Sequence, residues 1–270
     1  MIRKIAVVAT LCMLLPQQAV FAAKYARFSH QGETHYGRVS GERLLILEGG
    51  LFPLSAPTDQ SVHKDEVEFL PPTVASKVFA VGMNFASHLS SRADAPPPLF
   101  LKLPSSLTGH NMPVILPDDA DNVHFEGEMV LVIGKQAKNV SEEAAKDYIF
   151  GVTIGNDLSE RSWQRRDLQW LRAKASDGFG PVGPVIATDI TYNNALLTTR
   201  VNGEVVQQES TANMIHSPAK VVSYLSRYFT LEAGDLIFMG TPGKTSALTG
   251  EDVVSVEIEG VGLLSNTILR

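Results

Sequence analysis

The chain has 270 residues, 44% of them hydrophobic and 19% charged, enough to bury one large domain or one large and one small. Its formal charge is −6, with 23 basic against 29 acidic residues, and no Lys/Arg cluster appears, so nucleic acid is excluded as a partner because phosphate binding needs a basic surface. The single cysteine, Cys12, lies near the start, which excludes disulfides and thiol catalysis from everything after it.

Residues 1–22 carry Arg3 and Lys4, an apolar run from Ile5 to Leu15, a break at Pro16 and a small-residue ending. This pattern predicts an export signal cleaved near Ala22, giving a periplasmic or secreted protein that leaves the membrane after cleavage. A membrane anchor is the alternative, but the apolar run of about 11 residues falls short of the roughly 20 that cross a bilayer. Next, "YARFSH", "HYGRVSG" and "RLLILEGG" alternate in short pieces between glycine and polar turns, predicting a small N-terminal β unit. The polar stretch 55–72, ending in Pro71-Pro72, reads as a connector. The predicted units are therefore a signal at 1–22, a β unit with its connector at 23–72, and a catalytic domain at 73–270.

"KVFAVGMNFASHLSS" predicts a strand that runs through Gly82 into a short helical piece carrying His88. The proline-rich 93–117 is expected to be loop with an edge strand. Two helices are predicted: one capped by Ser141 over "EEAAKDYI", the other opened by Ser217-Pro218. The rest reads as strand: a hairpin at Asn202-Gly203, a buried "GDLIFMG", and alternation on both sides of Gly260-Val261-Gly262. The expected class is α+β and β-dominated.

"NVHFEGEMVLVIGK" places two carboxylates at the mouth of an apolar strand. Residues two apart share a strand face, so Glu126 and Glu128 stand side by side, with Gly127 leaving the other face clear. Either solvent screens them or a cation neutralises them. A third acid, Asp157, sits at the exit of the apolar "YIFGVTIGND". Three oxygen donors suit magnesium, manganese or calcium, and no histidine–cysteine cluster suggests zinc.

At these residues the chain resembles the fumarylacetoacetate hydrolase family. "VGMNFASHLS", "FLKLPSSLTG", "FEGEMVLVIGK", "DYIFGVTIGNDLSERSWQ" and the long carboxyl half from "RVNGEVVQ" to "MGTPG" follow that family's ordered motifs over residues 78–270. The resemblance implies a mixed β-roll catalytic domain, usually in a homodimer, with Mg2+ or Mn2+ held by Glu126, Glu128 and Asp157. It implies action on a small 2-oxo acid or 1,3-dicarbonyl acid that enolises, by C–C hydrolysis, keto–enol isomerisation or decarboxylation. His88 matches the general base, Lys174 a lysine near the metal, and Arg161, Gln164 and Thr241 substrate-contacting positions. Without the resemblance these would be a surface histidine, a solvated lysine, a loop-fixing pair and a turn.

Departures accompany the matches. Hydrolytic members carry a glutamate three residues after the histidine, where this chain has Ser91. His124-Phe125 replaces a frequent Asp-Tyr, Phe85 replaces a tyrosine, and Lys244 is added near the expected carboxylate pocket. A metal- and carboxylate-binding protein without turnover, and a partner-binding β domain, are the alternative readings.

Overall fold

A computed structural model of the chain describes residues 23–90 and 93–270. The export-signal reading of 1–22 and the Ser91 departure lie outside the described residues. The described residues are β-dominated and form a twelve-stranded mixed sheet and a five-stranded sheet, with two short two-stranded pairs beside them.

The large sheet runs from the outer strand Pro57–His63 through Arg43–Leu47, Glu33–Ser40 and Lys24–His30 to Gly180–Ala187. It continues through Ile149–Asn156, Gly127–Ile133, Leu236–Phe238 and Val78–Val81 to Leu99–Lys102. The N-terminal strands are thus part of the same sheet, joined where Lys24 pairs with Ala187. The stretch 55–72, expected as a connector, contains a strand. Pro57–His63 is a strand paired with Arg43–Leu47, and its polar residues fit an outer edge where Val62 alone is buried.

After Leu99–Lys102 the chain returns through a 3-10 turn at Pro104–Ser106, and Leu107–Thr108 pairs in parallel with Gly180-Pro181. That pairing curls the sheet into a roll. Inside it lie Val78, Ala80, Val130, Val132, Val182, Leu236 and Phe238. The alternate residues of the central strand, Met129, Leu131 and Ile133, face outward and pack with Leu197, Val256, Ile258 and Leu264 of the second sheet, and with Val221, Val222 and Leu225 of the helix Pro218–Tyr228. Both faces of this strand are buried, which is why its sequence is an unbroken apolar run.

At Gly127 the two sheets approach closely. A Cβ there would stand 2.0 Å from Thr199 Oγ1 and 3.1 Å from Val256 Cγ1, so any larger residue would push the sheets apart. With Gly127 turned outward, Glu128 falls on the inner face of the roll by strand alternation. Both predicted helices are present: Ser141 caps Glu142–Ala145, and the Ser217 hydroxyl accepts the Lys220 N–H at 3.2 Å. The hairpin turn at Asn202-Gly203 has positive φ at both residues, as a tight two-residue turn requires.

The candidate active site

Strand pairing assembles the acids. Gly127 is opposite Asn156, the Asp157 N–H donates to the Glu126 carbonyl at 2.8 Å, and the Asn156 side-chain oxygen accepts the Glu126 N–H at 2.9 Å. Two strand ends are thereby locked mouth to mouth. The structure brings Glu126, Glu128 and Asp157 together: one carboxylate oxygen from each lies within 4.8 Å of the others, and all three residues are buried.

Three cations face these acids. Lys174 Nζ donates to Glu126 Oε2 at 2.6 Å and to Asp157 Oδ2 at 2.7 Å. Lys102 Nζ donates to Asp157 Oδ1 at 2.6 Å and to the carbonyl oxygen of Lys174. Arg161 Nη2 reaches Glu126 Oε1 at 2.5 Å. Burial opposes ionisation of Glu126, but Lys174 and Arg161 outweigh it and hold that carboxyl below its ordinary range. Glu128 accepts the Gly240 N–H at 2.7 Å; burial, then the nearby Asp157 and Glu126, push its carboxyl well above the ordinary range. Burial lowers Lys102, whereas at Lys174 the neighbouring Asp157 and Glu126 overcome burial and raise it.

His88 does not lie on a helix. It sits in a tight turn between the two-residue strands Asn84–Phe85 and Leu89–Ser90. Asn84 pins that segment extended: its amide donates to the carbonyls of His216 and Met239, and its own side-chain oxygen accepts the His216 N–H at 2.7 Å. The Gly243 carbonyl accepts from His88 Nδ1 at 2.6 Å, so that nitrogen carries the proton. Nε2, which carries the lone pair in the neutral ring, faces Glu126 Oε1 at 3.7 Å.

These groups line one cavity of about 310 Å³. His88, the three acids and Lys174 form its polar side; Met83, Phe100 and Trp170 form its apolar side. The Phe100 and Trp170 rings meet edge to face at 5.6 Å, and Lys174 Nζ lies 4.9 Å from the Phe100 ring centre. Arg161 and Gln164 share the helix Arg161–Arg166 and both line the cavity, with Arg161 Nη1 donating to Gln164 Oε1 at 2.9 Å. Thr241 also lines it, its hydroxyl accepting from Gln207 Nε2 at 2.9 Å. All eight residues singled out in the sequence therefore face one space.

Two flagged departures do not. Lys244 is exposed and absent from the lining, beyond the left-handed turn at Gly243 (φ 62°). His124 is held outside the cavity by Thr245 Oγ1 at 2.9 Å and Asn122 Oδ1 at 3.0 Å. Lys102 and Gln207 were missed by residue-level reading. Lys102 stood inside a quoted motif, but a lysine at the end of an apolar strand reads as solvated. Gln207 sits on a polar hairpin strand and carried no signal.

The donor set fits a hard divalent ion. Three buried carboxylates converge without a soft ligand, and this is the only such group among the described residues.

The family model described as fumarylacetoacetate (FAA) hydrolase C-terminal matches residues 77–269, and one described as Rv2993c-like, N-terminal, matches residues 23–72. The crystal structure of a 5-carboxymethyl-2-hydroxymuconate delta-isomerase from Mycobacterium smegmatis superposes with a TM-score of 0.87 at 37% identity, covering 92% of this chain and 99% of that one. A 4-hydroxyphenylacetate degradation bifunctional isomerase/decarboxylase from Escherichia coli is 40% identical over 85% of this chain and 56% of its own length. An oxaloacetate tautomerase, fahd2, mitochondrial, from Xenopus laevis is 33% identical over 84% of this chain and 77% of its own length.

Proposed function

Because the chain belongs to the fumarylacetoacetate hydrolase family, we propose that it is a divalent-metal-dependent enzyme that interconverts the keto and enol forms of a small 2-oxo acid, or decarboxylates it. The observation that carries the reading is His88 Nε2, an imidazole nitrogen directed at the acid cluster within the cavity. Enolisation needs one group that takes a proton from carbon and returns it, and an imidazole is suited to that exchange near neutrality.

Glu126, Glu128 and Asp157 would hold a hard ion, which when bound would supply Lewis-acid stabilisation of negative charge developing on the 2-oxo oxygen. Mg2+ or Mn2+ suits this donor set, with Ca2+ as a further candidate. Charge counting supports the pairing with a 2-oxo acid. Once a bound divalent ion had drawn the proton from Glu128, the charges of Glu126, Glu128 and Asp157 would be balanced by Lys102, Lys174 and Arg161. These six groups with the ion would then carry two positive charges, which an enolate bearing one carboxylate would cancel. Arg161, Gln164 and Thr241 offer donors for that carboxylate, Lys174 a cation beside the reacting oxygens, and Phe100 and Trp170 apolar surface in the same cavity.

Isomerisation is preferred to C–C hydrolysis because hydrolysis needs a second acid–base group to activate water. Among the described residues, the cavity lining offers one imidazole and no carboxylates beyond the three of the cluster. The homodimer and the exported location expected from the sequence are kept as parts of the proposal.

The test follows the decay of enol-oxaloacetate and the hydrolysis of an acylpyruvate, with and without Mg2+, in the wild type and His88→Ala. The expected result is Mg2+-dependent tautomerisation, slowed about 10²- to 10⁴-fold in His88→Ala, with weaker hydrolysis. Faster hydrolysis than tautomerisation in the wild type would overturn the assignment. Metal binding with neither activity on any of these acids would favour a binding protein without turnover.

A further inference from the structure

His88 takes its orientation from a main-chain carbonyl, that of Gly243, rather than from a carboxylate. Gly243 lies in a turn at positive φ, and a Cβ there would meet nothing within 4 Å, so no neighbour crowds its α-carbon and its peptide is held from elsewhere. Hydrogen bonds do. The Gly243 N–H donates to Ser87 Oγ at 2.9 Å, and the Ser87 hydroxyl donates to Glu209 Oε2. The other carboxylate oxygen of Glu209 accepts from Asn213 Nδ2 at 3.0 Å.

Glu209 belongs to the strand Glu204–Ser210 of the second sheet, two residues after Gln207 and therefore on the same face. Gln207 Nε2 donates to Thr241 Oγ1 and to the Pro242 carbonyl, and Gln207 Oε1 accepts the Gly127 N–H at 3.2 Å. One strand face thus grips three consecutive residues of the 241–243 turn: Gln207 takes the first two, and Glu209, through Ser87, takes the third. Ser87 is also the residue before His88. The serine therefore ties both ends of the His88–Gly243 bond to one point.

We infer that Ser87 and Glu209 are positioning residues that fix the Gly243 carbonyl, and through it the ring orientation and Nδ1-protonated tautomer of His88. This rests on the role given to His88 above, and its test separates the two. Without the clamp the Gly243 peptide rotates, Nδ1 loses its acceptor, and the proton distributes between the two ring nitrogens. Every molecule with the proton on Nε2 presents a donor where the reaction needs an acceptor.

The experiment records 15N spectra of histidine-labelled protein in the wild type, Ser87→Ala, Glu209→Ala and Glu209→Gln, with His88→Gln identifying the His88 signals among seven histidines. It is joined by kcat and KM for tautomerisation, Mn2+ affinity, and circular dichroism to confirm folding. The wild type should show a single Nδ1–H tautomer. Ser87→Ala and Glu209→Ala should show mixed tautomers, with kcat down about ten- to a hundredfold and KM and Mn2+ affinity nearly unchanged. Glu209→Gln should recover most of that loss, because the amide oxygen still accepts from Ser87 and a flip of the Asn213 amide accommodates the new donor.

An unchanged His88 tautomer in both alanine variants would overturn the inference, whatever happens to kcat. Mixed tautomers with unchanged kcat would uphold the clamp and overturn the role of His88 as the proton-transfer group.

Discussion

The inner acids of the roll and Asp235 are all buried carboxylates on neighbouring strands, yet they are solvated by the protein in opposite ways. Asp235 is fully buried immediately before the strand Leu236–Phe238. It accepts from the main-chain N–H groups of Ser76 (3.1 Å), Lys77 (2.8 Å) and Glu232 (2.8 Å), from the Ser76 hydroxyl (2.7 Å) and from Lys77 Nζ at 3.0 Å. Three of its five donors are main-chain N–H groups, which cannot leave without displacing the chain at 76–77 and 232. At the mouth of the roll the acids face one another; Glu128 accepts one main-chain N–H, from Gly240, but the partners of Glu126 and Asp157 include the side chains of Lys102, Lys174 and Arg161. Side chains can yield to an incoming ion; a main-chain cage cannot. Burial of an acid therefore says little about function until its donors are identified.

The largest effect expected from this contrast is on stability at Asp235. Asp235→Ala leaves three part-buried N–H groups and the Ser76 hydroxyl without their acceptor and removes the buried partner of Lys77, costing about 3–5 kcal/mol. For a protein of this size that lowers Tm by roughly 6–20 °C. Mn2+ affinity, measured by calorimetry at a temperature where the variant is folded, should change little. If it falls as far as in a variant of the acid cluster, the division between structural and ligating acids breaks.

Glu128→Gln should do the reverse. Burial, Asp157 and Glu126 already favour an uncharged carboxyl at Glu128, and a glutamine oxygen still accepts the Gly240 N–H, so stability should stay within about 1 kcal/mol. Metal affinity should fall more than about a hundredfold, since even the partners of metal ligands are worth ten- to a hundredfold. Calorimetric titration and thermal denaturation of the same preparation give both numbers.

Lys102→Met joins the two cases. Asp157 loses one of two cations but keeps Lys174, so the expected cost is about 2 kcal/mol, below that of a fully unpaired acid. Millimolar Mg2+ should restore much of the lost Tm, because an ion among the acids replaces the missing charge. The same Mg2+ should leave the Asp235→Ala deficit unchanged. Equal rescue of both variants would mean that Mg2+ acts on stability away from the cluster.

Much of this arrangement is legible in the sequence because it follows from alternation. Glu126, Gly127 and Glu128 before an apolar run declare a strand mouth, and Asn156-Asp157 after another apolar run declares its partner. The hairpin at Asn202-Gly203 and the Ser217-Pro218 helix start are local signals that structure preserves. The failures are tertiary. His88 seemed to continue a helix, but Asn84 is held extended by carbonyls more than 130 residues away in sequence. Pro57–His63 seemed a polar linker because an edge strand with one buried residue has no apolar face to read. Lys102 was hidden by its own chemistry: a lysine is buried only when carboxylates await it, and Asp157 is 55 residues away.

The smallest expected effect concerns a half-buried base that, like Asp235, accepts from a main-chain N–H. His110 Nδ1 accepts the Ser265 N–H at 3.0 Å, tying the 109–112 segment to the strand Gly262–Leu269, and burial lowers its pKa below the ordinary 6.5. A proton on Nδ1 would abolish that bond and place a charge in a half-buried site. The unfolded chain therefore binds this proton more readily than the folded one, so stability is complete above about pH 6.5 and declines as pH falls from there toward the folded-state pKa. His110→Gln keeps an oxygen to accept from Ser265 but cannot titrate. Between about pH 7.5 and pH 5.5, a range that spans the histidine pKa, the wild type should lose more Tm than His110→Gln, while the two respond alike at higher pH. An equal loss in both would show that the segment tolerates a charged His110, and that main-chain donors do not hold a buried base neutral as they hold Asp235 in place.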